Sequence, residues 1–442
     1  MTTRAALRLF LLLCLVFLPF SMALSAQSKN GLPAGKDADL QFVVLLSRHG
    51  VRSPIGTTGQ LDKYSAAPWP QWSVPPGYLT AHGYQLMKQF GVWDRTLYSG
   101  KGLLSTSGCT DAAHVTIVAD TDERTRETGK ALSEGMLPGC AVPVQSQPDG
   151  VVDPLFRSLD AGVGPPDYAL AAAAISGRIG GDANNLTAAF RPQLTALDDV
   201  LAGCGNVQTT NPKRTSIFYI PAGLSPGSGG RPATLSGPLS TASTMAENLL
   251  LEYSEGMSDA NTGWGCVDGA RVRSLMQLNI AGWDYAVRTP AVARMYASYL
   301  LDRIEKSMEQ RVTGKPVAGA VSKPGDRILI LVGHDTNIAT ISAALGIDWI
   351  VDGRVDDTPP GGALAFELWR TRKDGKLFVR IEYTAQTLEQ MRQAQTLSAA
   401  NPPAREPVFV PGCSGADLSC TWAGFNAAMH NAIDPRFVNS QH

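Results

Sequence analysis

Short apolar runs and longer helical stripes divide the chain. Phe42-Val43-Val44-Leu45-Leu46 and Ile328-Leu329-Ile330-Leu331-Val332 are uninterrupted, of strand length and rich in β-branched residues. That is the pattern of strands buried on both faces of a parallel sheet. Val115-Thr116-Ile117-Val118-Ala119 reads as a third strand. Residues 363–370 and 376–383 are strand-like and flank Lys373-Asp374-Gly375, which predicts a hairpin. Thr80 is placed to cap a helix whose inner face carries Leu86, Met87, Phe90, Trp93 and Leu97. From 161 to 291 the texture changes: helical patterns cover 168–175, 186–201, 240–253 and 271–287. Within that stretch the glycine-rich residues 222–237 read as a flexible loop or edge segment. A helix from 292 to about 308 then restores the earlier alternation. The expected fold is α/β: a central, mainly parallel sheet flanked by helices, built from 38–160 and 292–442, with 161–291 inserted as a mostly helical lobe. A chain of 442 residues is long for one domain, which fits two lobes.

The chemistry sits where the strands end. In open α/β sheets ligands bind beyond the carboxyl ends of the strands. The first run leads into Arg48-His49-Gly50-Val51-Arg52-Ser53-Pro54. Two guanidiniums so close repel unless an anion lies between them, and phosphate suits paired arginine hydrogen bonds. A basic surface turn with a solvated histidine is the plain alternative. The run 328–332 leads into Gly333-His334-Asp335-Thr336-Asn337. Alone, a His-Asp pair is more often a structural hydrogen bond. Two histidine-bearing strand ends brought to one sheet edge are stronger evidence for a site. The run 115–119 leads into Asp120-Thr121-Asp122-Glu123-Arg124, a helix-start signal that places Arg124 near the same edge. Taken alone, Arg124 reads as a surface ion pair with Glu127 or Glu123. Glu247 shares a helical face with Leu250 and Leu251, so it either faces solvent or turns inward to a substrate hydroxyl or an arginine.

Arg48-His49-Gly50-Val51-Arg52-Ser53-Pro54, Asp122-Glu123-Arg124-Thr125-Arg126 and Gly333-His334-Asp335-Thr336-Asn337 together resemble the motifs of the histidine acid phosphatases, with a phosphoglycerate-mutase-like sheet. The likeness is nearest to the bacterial periplasmic phytases and glucose-1-phosphatases. It extends to Asp153-Pro154-Leu155-Phe156, Arg288-Thr289-Pro290 and Thr358-Pro359-Pro360-Gly361-Gly362. The resemblance implies an acid phosphatase with His49 as nucleophile and Asp335 as proton donor. Arg48, Arg52, Arg124 and His334 would hold the phosphate, and Glu247 and Thr336 are further candidates to touch the substrate. It implies no cofactor and no metal, the arginines supplying the positive charge. Phytase-like relatives carry a basic residue shortly after the first motif, where this chain has Ile55 and Gly56, and Asn279 stands where a histidine is expected. These departures point toward sugar phosphates, whereas His334-Asp335-Thr336-Asn337 points toward phytate.

Residues 1–26 read as a secretory leader: Arg4 and Arg8, then an apolar stretch, then small residues from Ser21 to Ala26. A membrane anchor is the alternative, and the run is short for it. Export to a periplasm or medium is expected, with no membrane attachment after cleavage. Cys14 lies in the leader, and Cys109, Cys140, Cys204, Cys266, Cys413 and Cys420 remain. An even set in an oxidising compartment suggests disulfides rather than a metal site. Spacing leaves several pairings open; Cys413 and Cys420 are near enough to close a small loop. The resemblance implies Cys109–Cys140 and Cys413–Cys420, and leaves Cys204 with Cys266. A formal net charge of −1 offers no basic excess for nucleic acid. The expected partner is a small phosphomonoester, and the expected state a monomer. Gly223-Leu224-Ser225-Pro226-Gly227 matches a serine-hydrolase elbow, but Pro226-Gly227-Ser228-Gly229-Gly230 is unsuited to the helix that must follow it. A non-catalytic phosphosugar-binding protein would need the arginines but not the two histidines. A related phosphomutase would not need export.

Overall fold

The computed structural model describes residues 37–56, 58–205 and 210–438. The expected leader, 1–26 with Cys14, lies outside the described residues. The order is β1 Ala38–Arg48, α1 Ala81–Gly100, β2 Val115–Ala119, α2 Glu123–Met136 and β3 Val144–Gln145. There follow α3 Tyr168–Arg178, α4 Asn184–Ala189, α5 Arg191–Leu201, β4 Gly223–Ser228, β5 Arg231–Ser236, α6 Pro238–Ser254 and α7 Gly269–Ala286. Then come α8 Pro290–Thr313, β6 Ile328–Gly333, α9 Asp335–Leu345, β7 Ile350–Val351, β8 Arg354–Val355, β9 Ala363–Thr371 and β10 Leu377–Ala385. The last elements are α10 Leu388–Arg392, β11 Ala404–Val408, β12 Ser419–Thr421 and α11 Trp422–Ala432.

One sheet runs β11-β10-β9-β1-β6-β2-β3, with β12 also on β10. Around the site it is parallel: β1 on β6, β6 on β2 and β2 on β3. Beyond β1 it turns antiparallel through β9 to β12. The apolar runs are continuous because both faces are covered. Phe42, Val44 and Leu46 join Leu329 and Leu331 in a core shared with α8, α9 and α11, including Leu301, Ile341 and Phe425. Val43 and Leu45 join Ile328, Ile330 and Val332 on the opposite face, with Met87 and Phe90 of α1 and Leu132 of α2. Alternate side chains thus enter alternate cores. Fully burying one such side chain contributes about 1.5–3 kcal/mol.

α3 to α7 gather around a third core, including Leu194, Leu197, Leu249, Leu250, Met276 and Leu278, which also takes in Val51, Leu86 and Leu388. Two expectations are corrected there. The helix read over 186–201 is two helices, broken at Phe190. Pro192 begins α5 at its second position, where a missing N–H costs nothing. The glycine-rich 222–237 is not a loose loop but the antiparallel hairpin β4–β5. Ser225 lies on exposed β4 opposite Thr234, followed by strand rather than helix, so it is no nucleophile elbow. In the loop after β1, Trp69 is buried and meets Trp264 edge-on at 4.9 Å. Tyr78, at the end of that loop, is 44% exposed. The six cysteines stand as Cys109–Cys140, Cys204–Cys266 and Cys413–Cys420.

Candidate active site

Register builds the site. β1 and β6 are neighbours with Arg48 opposite Gly333, so their carboxyl ends deliver His49 and His334 side by side, ring centroids 5.7 Å apart. The loop after β1 is clamped from both sides. His49 N–H donates to Gly333 O at 3.0 Å, Gly361 N–H to His49 O at 2.9 Å, and Gly50 N–H to Thr128 Oγ1 at 2.9 Å. From below, α1 presses on Val51. Its N-terminus is capped by Thr80, whose Oγ1 accepts from Gly83 N–H at 2.8 Å. A side chain at Gly83 would put its Cβ 2.1 Å from Val51 O, so only glycine permits the approach.

His49 is 1% exposed. Its Nδ1 lies 2.9 Å from Gly50 O. A carbonyl only accepts, so Nδ1 carries the proton and Nε2 keeps its lone pair. Burial pushes the imidazole well below its ordinary pKa of 6.5, and Arg48, Arg52, Arg124 and His334 add to that. The ring therefore stays neutral in mild acid.

Three arginines surround it. Arg48 donates to Thr358 O at 2.6 Å, pairs with Asp335 Oδ2 at 2.9 Å and also pairs with Glu247. Arg52 Nη2 meets the same Glu247 Oε1 at 3.1 Å. The anion between the two guanidiniums is thus supplied by the protein, and Glu247 turns inward rather than to solvent. Arg124 pairs with Asp122 at 2.7 Å, not with Glu123 or Glu127. The Nε of Arg48, Arg52 and Arg124 are buried without a hydrogen-bond partner among the described residues.

His334 follows β6 and caps α9, and its Nε2 lies 2.6 Å from Asp120 Oδ2. Burial raises the Asp120 pKa, but His334, the Thr121 N–H and Arg157 together lower it overall. The acceptor is therefore a carboxylate and Nε2 carries hydrogen. His334 Nδ1 faces Arg124 Nη2 at 3.4 Å. Asp335 opens α9. Burial pushes its carboxyl up, but Arg48, Arg52, His334 and the Thr336 N–H together hold it below 3.8. Thr336 N–H donates to Asp335 Oδ1 at 2.8 Å.

Arg52, His49, Arg124, His334, Asp335, Thr336 and Glu247 line one cleft of about 420 Å³; Arg48 backs it. Ile55 is on its rim, 66% exposed. Asn279 is not in it: its Nδ2 donates to Ser243 O at 3.1 Å beside a smaller side pocket. Asp120, Asp122 and His334 bring one ligand atom each within 4.8 Å, a set able to hold a cation. Arg157 at 3.2 Å from Asp120, and Arg124 on Asp122, already neutralise that charge. Sequence reasoning missed Asp120, although it follows the third parallel strand as His49 follows the first. It also missed Arg157, Arg231, Trp283 and Tyr296, which reach the cleft from loops, the hairpin and helices and carry no strand-end signal.

Residues 39–199 and 239–384 match the family model of the histidine phosphatase superfamily (branch 2). The chain is similar to Phytase AppA of Escherichia coli (strain K12), 34% identical over 95% of this chain and 98% of that one. It is also similar to a glucose-1-phosphatase of Providencia rettgeri, 28% identical over 90% and 93%. Among solved structures, Hafnia alvei phytase in complex with myo-inositol hexakis sulphate superimposes with a TM-score of 0.82. The identity is 32%, covering 92% of this chain and 99% of that one.

Proposed function

We propose a mechanism and a substrate class from the premise that this chain belongs to branch 2 of the histidine phosphatase superfamily and is a histidine acid phosphatase, a hydrolase of phosphomonoesters. His49 Nε2 attacks phosphorus. The Nε2–P bond forms as the bond to the ester oxygen breaks, and Asp335 gives that oxygen its proton. Arg48, Arg52, Arg124 and His334 hold the phosphoryl oxygens and stabilise the charge that builds on them. Water then attacks the phosphohistidine, Asp335 takes a proton back, and inorganic phosphate leaves. To bind, the phosphate competes with Glu247 for Arg48 and Arg52. The single observation carrying this reading is the Gly50 carbonyl on His49 Nδ1, which leaves Nε2 as a neutral nucleophile among three arginines.

The substrate class is a polyphosphorylated polyol, with phytate (inositol hexakisphosphate) as its type. The phytase relative at 34% identity supports this over a sugar monophosphate, as do the extra cleft arginines 157 and 231. We place the enzyme outside the cytoplasm, exported by residues 1–26. Among the described residues no helix is long and apolar enough to cross a membrane. The test is His49→Ala. Turnover of every phosphomonoester should vanish with the fold intact. In the wild type, a rapid quench into base should trap phosphate on His49, because phosphohistidine is acid-labile. Wild-type turnover by the variant would refute the mechanism.

A further inference from the structure

Four arginines line the cleft. Arg52 is paired with Glu247, Arg124 with Asp122 and Arg157 with Asp120. The fourth, Arg231, makes no ion pair or side-chain hydrogen bond among the described residues, although it reaches the same cleft. A guanidinium held at a ligand site and left unneutralised is an anion receptor.

Its placement is fixed rather than floppy. Arg231 opens β5 and pairs with Ser228 of β4 across the two-residue turn Gly229-Gly230. Gly229 has φ +57°, the left-handed conformation that such tight hairpin turns require. Gly230 lies against Asp160 so closely that a Cβ would sit 1.9 Å from Asp160 Oδ1. Tyr168 Oη of α3 donates to Gly229 O at 2.8 Å. The hairpin tip is therefore tied down on two sides, and any bulkier residue at 230 would lift it away from the cleft. Asp160 shares this wall, but no ion pair joins it to Arg231. Tyr296 lies on the same wall. Burial pushes its hydroxyl up to about 12, against the opposing charge of Arg231, so it remains an O–H donor.

The cleft wall thus carries two differently equipped sets of groups. His49 and the arginines around it hold the phosphate being transferred. Arg231 and Tyr296 add a guanidinium without an ion pair and a phenol donor on the same wall. We infer that Arg231 is a specificity-determining residue, binding a second phosphate of a polyphosphorylated substrate while the first is held at His49. This rests on the phosphatase reading above and adds the residue that selects for polyanions. It also accounts for a chain that has Ile55 and Gly56 where a base was expected: the cation comes from the β4–β5 hairpin.

Arg231→Gln tests this, because the side chain is exposed and unpaired and its loss leaves the cores untouched. Steady-state kinetics are measured for inositol hexakisphosphate and for glycerol phosphate, which has one phosphate and none left for Arg231 once that phosphate is held at His49. The ratio of kcat/KM, hexakisphosphate over monophosphate, should fall roughly tenfold, the worth of one charged hydrogen bond. The loss should lie in KM, and Arg231→Lys should recover part of it. Raising salt should narrow the wild-type ratio more than the variant's. An unchanged ratio, or equal losses on both substrates, would overturn the role of Arg231 while leaving the phosphatase reading standing. Hydrolysis of neither substrate by the wild-type protein would overturn both.

Discussion

As the proposed proton donor, Asp335 must change character during the reaction. In the free enzyme Arg48 and Arg52 hold it below the usual carboxylate range despite its burial, so it is ionised. A bound phosphate brings negative charge to those arginines, cancels their pull and lets the carboxyl recover a proton. The sign of the pH dependence follows. On the proposed mechanism, activity needs protonated Asp335 and is lost as pH rises through its pKa. That pKa is lower in the free enzyme than in the complex. The alkaline limb of kcat/KM should therefore lie at lower pH than that of kcat; coincident limbs would contradict the account. Asp335→Asn should keep phosphate binding and lose alkyl phosphate turnover by ~10²–10⁴-fold. Nitrophenyl phosphate, with its better leaving group, should lose far less, and equal losses would make Asp335 a positioning residue. His49, His334 and Asp335 were legible in the sequence because a buried strand announces its own carboxyl end. Asp120 obeys the same rule, but its neighbours Thr121 and Asp122 read as ordinary helix-start residues and hid it. Glu247 was ambiguous because periodicity fixes a face, and whether a face meets a cleft depends on how α6 packs against the rest of the fold.

At the scale of elements, α6 carries one glutamate to the site and buries another. Glu252 is 1% exposed. Its Oε2 accepts from Gly263 N–H at 2.9 Å, while Oε1 has no partner among the described residues. Burial pushes it from 4.5 to about 8. A group whose folded pKa is raised stabilises fully below its unfolded pKa and loses that contribution as pH rises through the folded one. The window here is about pH 4.5 to 8. Asp94 acts in the same direction, raised by burial to about 7. The thermal midpoint should thus fall between pH 5 and 8, and Glu252→Gln should flatten that fall; an unaltered slope in differential scanning calorimetry would exclude Glu252 as a cause. Element types were legible wherever packing demanded long apolar periodicity, as in β1, β6, α1 and α6. The β4–β5 hairpin was not, because its glycines and prolines read as loop until α3 and Asp160 are seen holding it. The break at Phe190 was masked by a helical rhythm that Leu186, Leu194 and Leu197 keep on both sides of it.

Across the whole molecule, the covalent ties are local and the sheet is not. Cys413–Cys420 spans 7 positions, Cys109–Cys140 31 and Cys204–Cys266 62. Intact mass with and without alkylation, under denaturing but non-reducing conditions, should find no free thiol in the mature chain; two or more would break at least one pair. Reduction should lower the denaturation midpoint, each bond in a secreted domain contributing roughly 2–5 kcal/mol. The parallel half of the fold was readable because like runs end in like motifs. The antiparallel half was only partly so: the β9–β10 hairpin was evident, its attachment to β1 was not. That topology sets a timetable for biosynthesis. β6 lies between β1 and β2, yet a ribosome adding about 5–20 residues per second makes it long after both. Until then the growing chain holds His49, its proposed nucleophile, without His334 or Asp335. It also carries two apolar strands whose shared neighbour does not yet exist, the kind of open edge that recruits other chains. A cell making this enzyme must shelter an inert, adhesive precursor for most of its synthesis, and the arrival of one late strand ends the hazard and completes the catalyst together.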